Sequence, residues 1–85
     1  MMVTVKLFGT LRIDTGVREL TAEAGSVREL YPIVLREIRE KRPDSPVTEK
    51  TLHACLVAVN GAQAGPRAKL RDGDVVYFFP AVAGG

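Results

Sequence analysis

Five consecutive β-branched and aromatic residues, Val75-Val76-Tyr77-Phe78-Phe79, lie between the turn Asp72-Gly73-Asp74 and Pro80. Such a run reads as a β-strand. Proline lacks the N–H that a ladder requires, so Pro80 ends it. Side chains alternate along a strand, which puts Val76 and Phe78 on one face and Val75, Tyr77 and Phe79 on the other. A chain holding this segment needs a helix or a second layer over one face and neighbouring strands on either side. Beyond Pro80 run Ala81-Val82-Ala83-Gly84-Gly85, with no charged or polar side chain. Most chain ends are polar.

The start of the chain shows the same period. Val3, Val5 and Leu7 alternate with Thr4, Lys6 and Phe8. The first set should face the core, leaving Lys6 and Phe8 on the outer side. Gly9-Thr10 breaks this strand, and Asp14-Thr15-Gly16 is a turn signal. Val17 to Thr21 reads as a second strand, antiparallel to the first because the connection is short. Ser26, with Glu29 three residues on, forms a capping box. Val27, Leu30, Tyr31, Val34, Leu35 and Ile38 then fall on one helical face. Pro32 forfeits the bond to the Arg28 carbonyl, so a kink or a detached first turn is expected. Pro43 and Pro46 end the helix. Residues 43–52 read as a polar connection with room for one short helical turn. Cys55 to Val59 is a short apolar strand, Asn60-Gly61 a type I′ hairpin turn, and Ala62 to Ala64 a returning strand. Gly65-Pro66 breaks that strand, and Leu70 is expected in the core.

A helix placed between a hairpin and a later strand is a crossover, which makes some strands parallel. The predicted class is α+β: a mixed sheet of four to five strands with one main helix across one face. The first and last strands lie side by side at its centre, and the other face stays open. If Val76 and Phe78 meet the helix, Tyr77 and Phe79 lie outside, next to Phe8. These aromatics are either covered by a loop or form an exposed apolar patch of the kind that marks protein–protein sites. Residues 1–80 are read as the domain and 81–85 as a flexible reactive tail.

Composition removes several function classes. Eighty-five residues make one core. Apolar content is 46% and charged content 26%, which argues against disorder. No apolar run reaches the roughly 18 residues of a membrane span. The start lacks a signal-peptide layout, and one cysteine allows no internal disulfide. Together these features point to the cytoplasm. Twelve basic and ten acidic residues give a net charge of +2. Arg36, Arg39, Lys41 and Arg42 cluster at a helix end and Arg67, Lys69 and Arg71 before the last turn. Neither cluster contains the aromatic that nucleic-acid binding favours, so both read as solvated faces. His53 and Cys55, each the single residue of its kind, are too few for a metal site. His53 reads as a loop residue and Cys55 as an inert core thiol. The glycines match no phosphate-binding spacing. No active site is assembled within the domain.

What remains is the terminal carboxylate, an anion at neutral pH and a poor electrophile until a partner enzyme activates it, for instance as an acyl-adenylate. Five residues beyond Pro80 span up to about 17 Å. Gly84-Gly85, lacking Cβ atoms, suit a narrow channel.

Three segments carry a family resemblance: Val59-Asn60-Gly61; Leu70-Arg71-Asp72-Gly73-Asp74-Val75-Val76-Tyr77-Phe78-Phe79-Pro80-Ala81-Val82-Ala83-Gly84-Gly85; and Leu7-Phe8-Gly9-Thr10-Leu11-Arg12. They resemble the molybdopterin synthase small subunits, with their VNG turn, DGD-x-V-x-FFP-x-V-x-GG ending and Phe-x-x-x-Arg segment. Ala81 stands where many members have a second proline. The resemblance implies a ubiquitin-like β-grasp fold and a sulfur carrier that binds no cofactor itself. Gly85 would be adenylated by an E1-like adenylyltransferase using ATP. A sulfur donor system would then convert it to a thiocarboxylate. The tail would enter the synthase large subunit and give its sulfur to a pterin precursor, with Gly84 giving passage. Phe8, Phe79, Pro80, Ala81 and Val82 would dock, and strand parity adds Tyr77. Carriers serving thiamine, tRNA thiolation or tungsten cofactor, a ubiquitin-like modifier, and a plain β-grasp binding module remain open alternatives.

Overall fold

In the computed structural model, which describes residues 1–80, two strands more than seventy residues apart lie side by side. β1 (Met2–Leu7) pairs in parallel with β5 (Val75–Phe79), with Val5 opposite Val76 and Leu7 opposite Phe78. β2 (Glu19–Glu23) runs antiparallel to the other edge of β1. β3 (Leu56–Val59) runs antiparallel to the other edge of β5, and β4 (Ala62–Gln63) closes the sheet beyond it. The order is β2-β1-β5-β3-β4. The long helix α2 (Val27–Lys41) buries Val27, Leu30, Tyr31, Val34 and Ile38 against one sheet face. The mixed five-stranded sheet with one main helix is the arrangement expected from element order, and it is the β-grasp fold that the resemblance implied. No helix among the described residues is long and apolar enough to cross a membrane.

Strand parity is as expected. Val3, Val5, Leu7, Val76 and Phe78 are buried, and the Phe78 ring meets Tyr31 edge-on at 5.9 Å. Asn60 and Gly61 take the positive φ angles, 52° and 90°, of a type I′ turn. That turn does more than reverse the chain. The Asn60 side chain donates to Asp74 Oδ1 (2.8 Å) and accepts from the Val75 N–H (2.9 Å). The second Asp74 oxygen accepts from the Arg71 N–H, and Asp72 accepts from the Met2 N–H, both at 2.8 Å. The Asp72-Gly73-Asp74 turn thus ties the start of β1, the β3–β4 hairpin and the start of β5 together. These donors hold the Asp74 carboxyl below its ordinary pKa, the Arg71 N–H most and the Asn60 amide next.

Several local expectations are corrected. Residues 10–15, read as a break and a turn, form a short helix, α1 (Thr10–Thr15). Leu11 and Thr15 face inward one turn apart, and the Thr15 hydroxyl donates to the Leu11 carbonyl at 2.6 Å. Gly16, with φ 72°, closes the helix by donating to the Arg12 carbonyl. The second strand begins at Glu19 rather than Val17. Val17 and Leu20 have opposite parity, so one strand cannot send both inward. Val17 is buried from the connection, its N–H held by Thr15 Oγ1 at 3.0 Å, and Leu20 and Ala22 point inward from β2.

The α2 helix continues through exposed Pro32, so the detached first turn does not form. Its first two N–H groups are anchored from outside, Val27 to the Ala68 carbonyl (3.0 Å) and Arg28 to that of Pro66 (2.8 Å). The capping box is also displaced. Ser26 makes no side-chain cap, and Glu29 instead accepts from the Gly25 N–H and the Ser26 hydroxyl. A true reciprocal box, between Thr48 and Thr51, opens α3 (Glu49–His53) within the polar connection. His53 therefore ends a helix and is not a loop residue; its ring stacks on Tyr31 at 3.9 Å. Cys55 precedes β3 rather than belonging to it. It is half-buried rather than in the core, its thiol donates to the Thr51 carbonyl, and burial pushes its pKa up, which lowers the share of reactive thiolate. The return strand β4 ends at Gln63, one residue early.

Two outcomes follow from this framework. Phe78→Ala should cost about 3–5 kcal/mol in urea unfolding, whereas Tyr77→Ala, on the opposite face, should cost about 1 kcal/mol or less; comparable losses would refute the assignment of faces. Asp74 has its folded pKa lowered, so its contribution is present above the unfolded value and is lost as pH falls below about 4. Unfolding midpoints taken across acid pH should show Asp74→Asn less stable at neutrality but with a shallower loss on acidification than the unmodified chain.

Candidate functional site

The sheet face turned away from α2 carries the candidate site. The register sets its rows: Tyr77 lies between Lys6 and Ala58, and Phe79 lies opposite Leu56. The Phe8 N–H donates to the Phe78 carbonyl at 3.1 Å, which carries the parallel ladder one residue beyond β1 and keeps Phe8 beside β5. Its ring then stacks on Phe79 at 5.0 Å and on Tyr77 at 5.7 Å, with interplanar angles of 15° and 23°. Tyr77 and Phe79 are themselves nearly parallel, 6.3 Å apart. Phe79 is 37% exposed and Leu56 50%. The result is a band of flat rings across β1 and β5, extended by leucine onto β3.

At the end of this band the chain reaches Pro80, which is half-buried. A Cβ on Gly9 would stand only 3.0 Å from Pro80 Cγ, and Gly9 has φ +60°. Both the space and the backbone conformation call for glycine here. The root of the last segment is therefore seated on the turn between β1 and α1. Lys6 and Glu19 form an exposed ion pair at 3.9 Å at the edge of the band.

Of the residues expected at the site, Phe8, Tyr77, Phe79 and Pro80 come together. Ala81, Val82, Gly84 and Gly85 lie outside the described residues. Leu56 was not anticipated. Its outward direction follows from its pairing with Phe79, a long-range property; the signal in the sequence was the alternation of Leu56 with inward Val57, which is readable once the hairpin register is set. Among the described residues no group of three or more His, Cys, Asp or Glu could hold a metal ion. Nor, among the described residues, does a hydrogen bond join a nucleophile to a base: the Thr15 hydroxyl and the Cys55 thiol both donate to backbone carbonyls.

Comparison with known proteins agrees with the fold. Three solved structures share the fold over almost the whole chain. One is a chain of the complex of subunits 1 and 2 of molybdopterin-converting factor from Helicobacter pylori, at 26% identity and TM-score 0.63, covering 100% of both chains. Another is a chain of the BexX/CysO complex from Amycolatopsis orientalis, at 30% identity and TM-score 0.63, covering 98% of this chain and 99% of that one. The third is small archaeal modifier protein 1 from Methanosarcina acetivorans, at 27% identity and TM-score 0.66, covering 99% and 96%. A comparison with curated proteins gives no match. The sequence matches the ThiS family over residues 5–85. Strand order and that match agree: this chain belongs to the ThiS family of ubiquitin-like sulfur carriers.

Proposed function

We propose that this protein is the sulfur-donating small subunit of a molybdopterin synthase. Its carrier group is the carboxylate of Gly85. The observation that carries the proposal is the outward-facing Phe8–Tyr77–Phe79 band, half-buried at Phe8 and Tyr77 and exposed at Phe79, which leads to Pro80. An outward aromatic face, with no catalytic constellation among the described residues, suits a carrier whose chemistry partners supply. The likeness to a chain of the Helicobacter pylori complex supports such a partnership.

The steps follow from the carboxylate. As an anion it resists nucleophiles, so an E1-like adenylyltransferase first joins it to the adenylyl group of ATP, releasing pyrophosphate. A sulfur donor system then displaces AMP and leaves a thiocarboxylate. The domain docks on the synthase large subunit through Phe8, Tyr77, Phe79, Pro80, Ala81 and Val82, with Gly84 giving passage. The sulfur of Gly85 passes to a pterin precursor, and catalytic side chains belong to the large subunit. No cofactor is held by this chain; ATP is consumed by the activating partner.

A second reading is favoured by the 27% identity to small archaeal modifier protein 1: the same activated Gly85 would form an isopeptide bond with a lysine of a target protein. Sulfur delivery to thiamine, tRNA or tungsten cofactor would use the same carrier chemistry with a different acceptor.

Intact-mass spectrometry of protein purified from its own cells should show oxygen replaced by sulfur at the C-terminus. Conjugates of higher mass would instead favour the modifier. Deletion of Gly85 should leave the unfolding midpoint unchanged and abolish molybdopterin formation in complementation; full activity of the truncated chain would refute the carrier reading. Phe79→Asp should weaken binding to the large subunit at least about tenfold while leaving the fold intact, measured by titration calorimetry and circular dichroism. Unaltered binding would remove the aromatic band from the interface.

A further inference from the structure

We infer that Arg12 and Arg18 form a basic groove beside the aromatic band, which receives a carboxylate-bearing segment of the docked partner protein. This rests on the docking reading above and adds a charge requirement to it. Two adjoining hollows meet at these arginines. One is walled by Lys6, Phe8 and Glu19, the other by Gly9 and Ile13, and Arg12 and Arg18 line both.

The groove is built on a braced element. The α1 helix is held from behind at two points, and its own C-cap closes its end. The Ser45 hydroxyl donates to the Asp14 carbonyl at 2.8 Å, Arg42 donates to that of Ile13 at 3.0 Å, and the Gly16 N–H caps the Arg12 carbonyl. Arg12 thus projects from a fixed backbone, with Ile13 exposed beside it.

The charge in the groove is unbalanced. Glu19 is the one carboxylate among the lining residues, and Lys6 already holds it. Among the described residues neither Arg12 nor Arg18 takes part in an ion pair. Two guanidiniums with no ion-pair partner among the described residues, next to apolar walls, suit planar carboxylates, which arginine grips with two parallel hydrogen bonds. Phe8 belongs both to the aromatic band and to the first hollow, so a partner covering the band also covers the groove.

Position selects a protein ligand over the activating nucleotide. Pro80 sits against Gly9 at the groove's edge. The carboxylate to be activated is five residues further on, up to about 17 Å away along an extended chain. A nucleotide joined to Gly85 at the end of an extended tail would lie away from Arg12 and Arg18, whereas a partner segment seated on the Phe8 ring would lie beside them.

The test is calorimetric titration of the purified synthase large subunit into four full-length proteins: unmodified, Arg12→Glu/Arg18→Glu, Arg12→Lys/Arg18→Lys, and Phe79→Asp. Each is run at about 0.05 M and about 0.5 M salt, where screening of exposed charges differs strongly. The charge reversal should weaken binding at least about tenfold at low salt and flatten its salt dependence, with an unchanged urea midpoint. The lysine pair should lose less and keep the salt dependence. If the charge reversal binds like the unmodified chain while Phe79→Asp binds weakly, the groove inference falls and the docking reading stands. If the unmodified chain does not bind, both fall. A nucleotide site would appear as pyrophosphate or ATP alone shifting the side-chain NMR signals of Arg12 and Arg18, and that result would also overturn the inference.

Discussion

The parallel pairing of β1 with β5 is the constraint on which the rest of the molecule depends. Parallel neighbours cannot be joined by a tight turn, so everything between Leu7 and Val75 is a long crossover. Burying the inner face of the pair needs α2, and α2 carries Leu30, Tyr31 and Val34 over it. Holding the register needs a lock at the start of both strands. Asp72 and Asp74 provide it by accepting from Met2, Arg71 and Asn60. The same pairing brings Phe8 against Tyr77 and Phe79, so the outer band results from the register that aligns the core.

This arrangement separates two functions within single strands. Val76 and Phe78 are fully buried, whereas the residues between and after them face outward. Because strand periodicity is two, a slip of one residue would exchange the sets. The aspartate lock therefore protects both stability and the composition of the outer face. Leu56 belongs to that face only because β3 pairs with β5 in one register.

Much of this was legible in the sequence where a pattern of period two or 3.6 runs long enough to be read. The facing of β1, α2 and β5 rests on such patterns, the Asn60-Gly61 turn on a dipeptide that accepts positive φ, and the parallel central pair on the helix crossover between hairpin and last strand. The failures have physical causes. α1 spans six residues, too short for a helical period, and its inward Thr15 looks polar until its hydroxyl is seen to close on the Leu11 carbonyl. Val17 is buried from a connection, which mimics a strand start. Ser26 and Glu29 have the spacing of a capping box, but the loop carbonyls of Pro66 and Ala68 take the helix N–H groups first. Leu56 and Arg18 join the outer surface through contacts between distant segments, and no local pattern encodes those. The Gly84-Gly85 ending was conspicuous in sequence, and it lies outside the described residues.

The position of β5 also has a mechanical consequence. It is bonded to β1 on one side and β3 on the other, and the last segment continues from its end. A pull on that segment along the strand axis loads both ladders in shear, so several hydrogen bonds must yield together. A hairpin edge would unzip one bond at a time. A machine drawing on the C-terminus therefore meets the domain in its most resistant direction, while a pull across the sheet from the two-residue edge strand β4 meets it in its weakest.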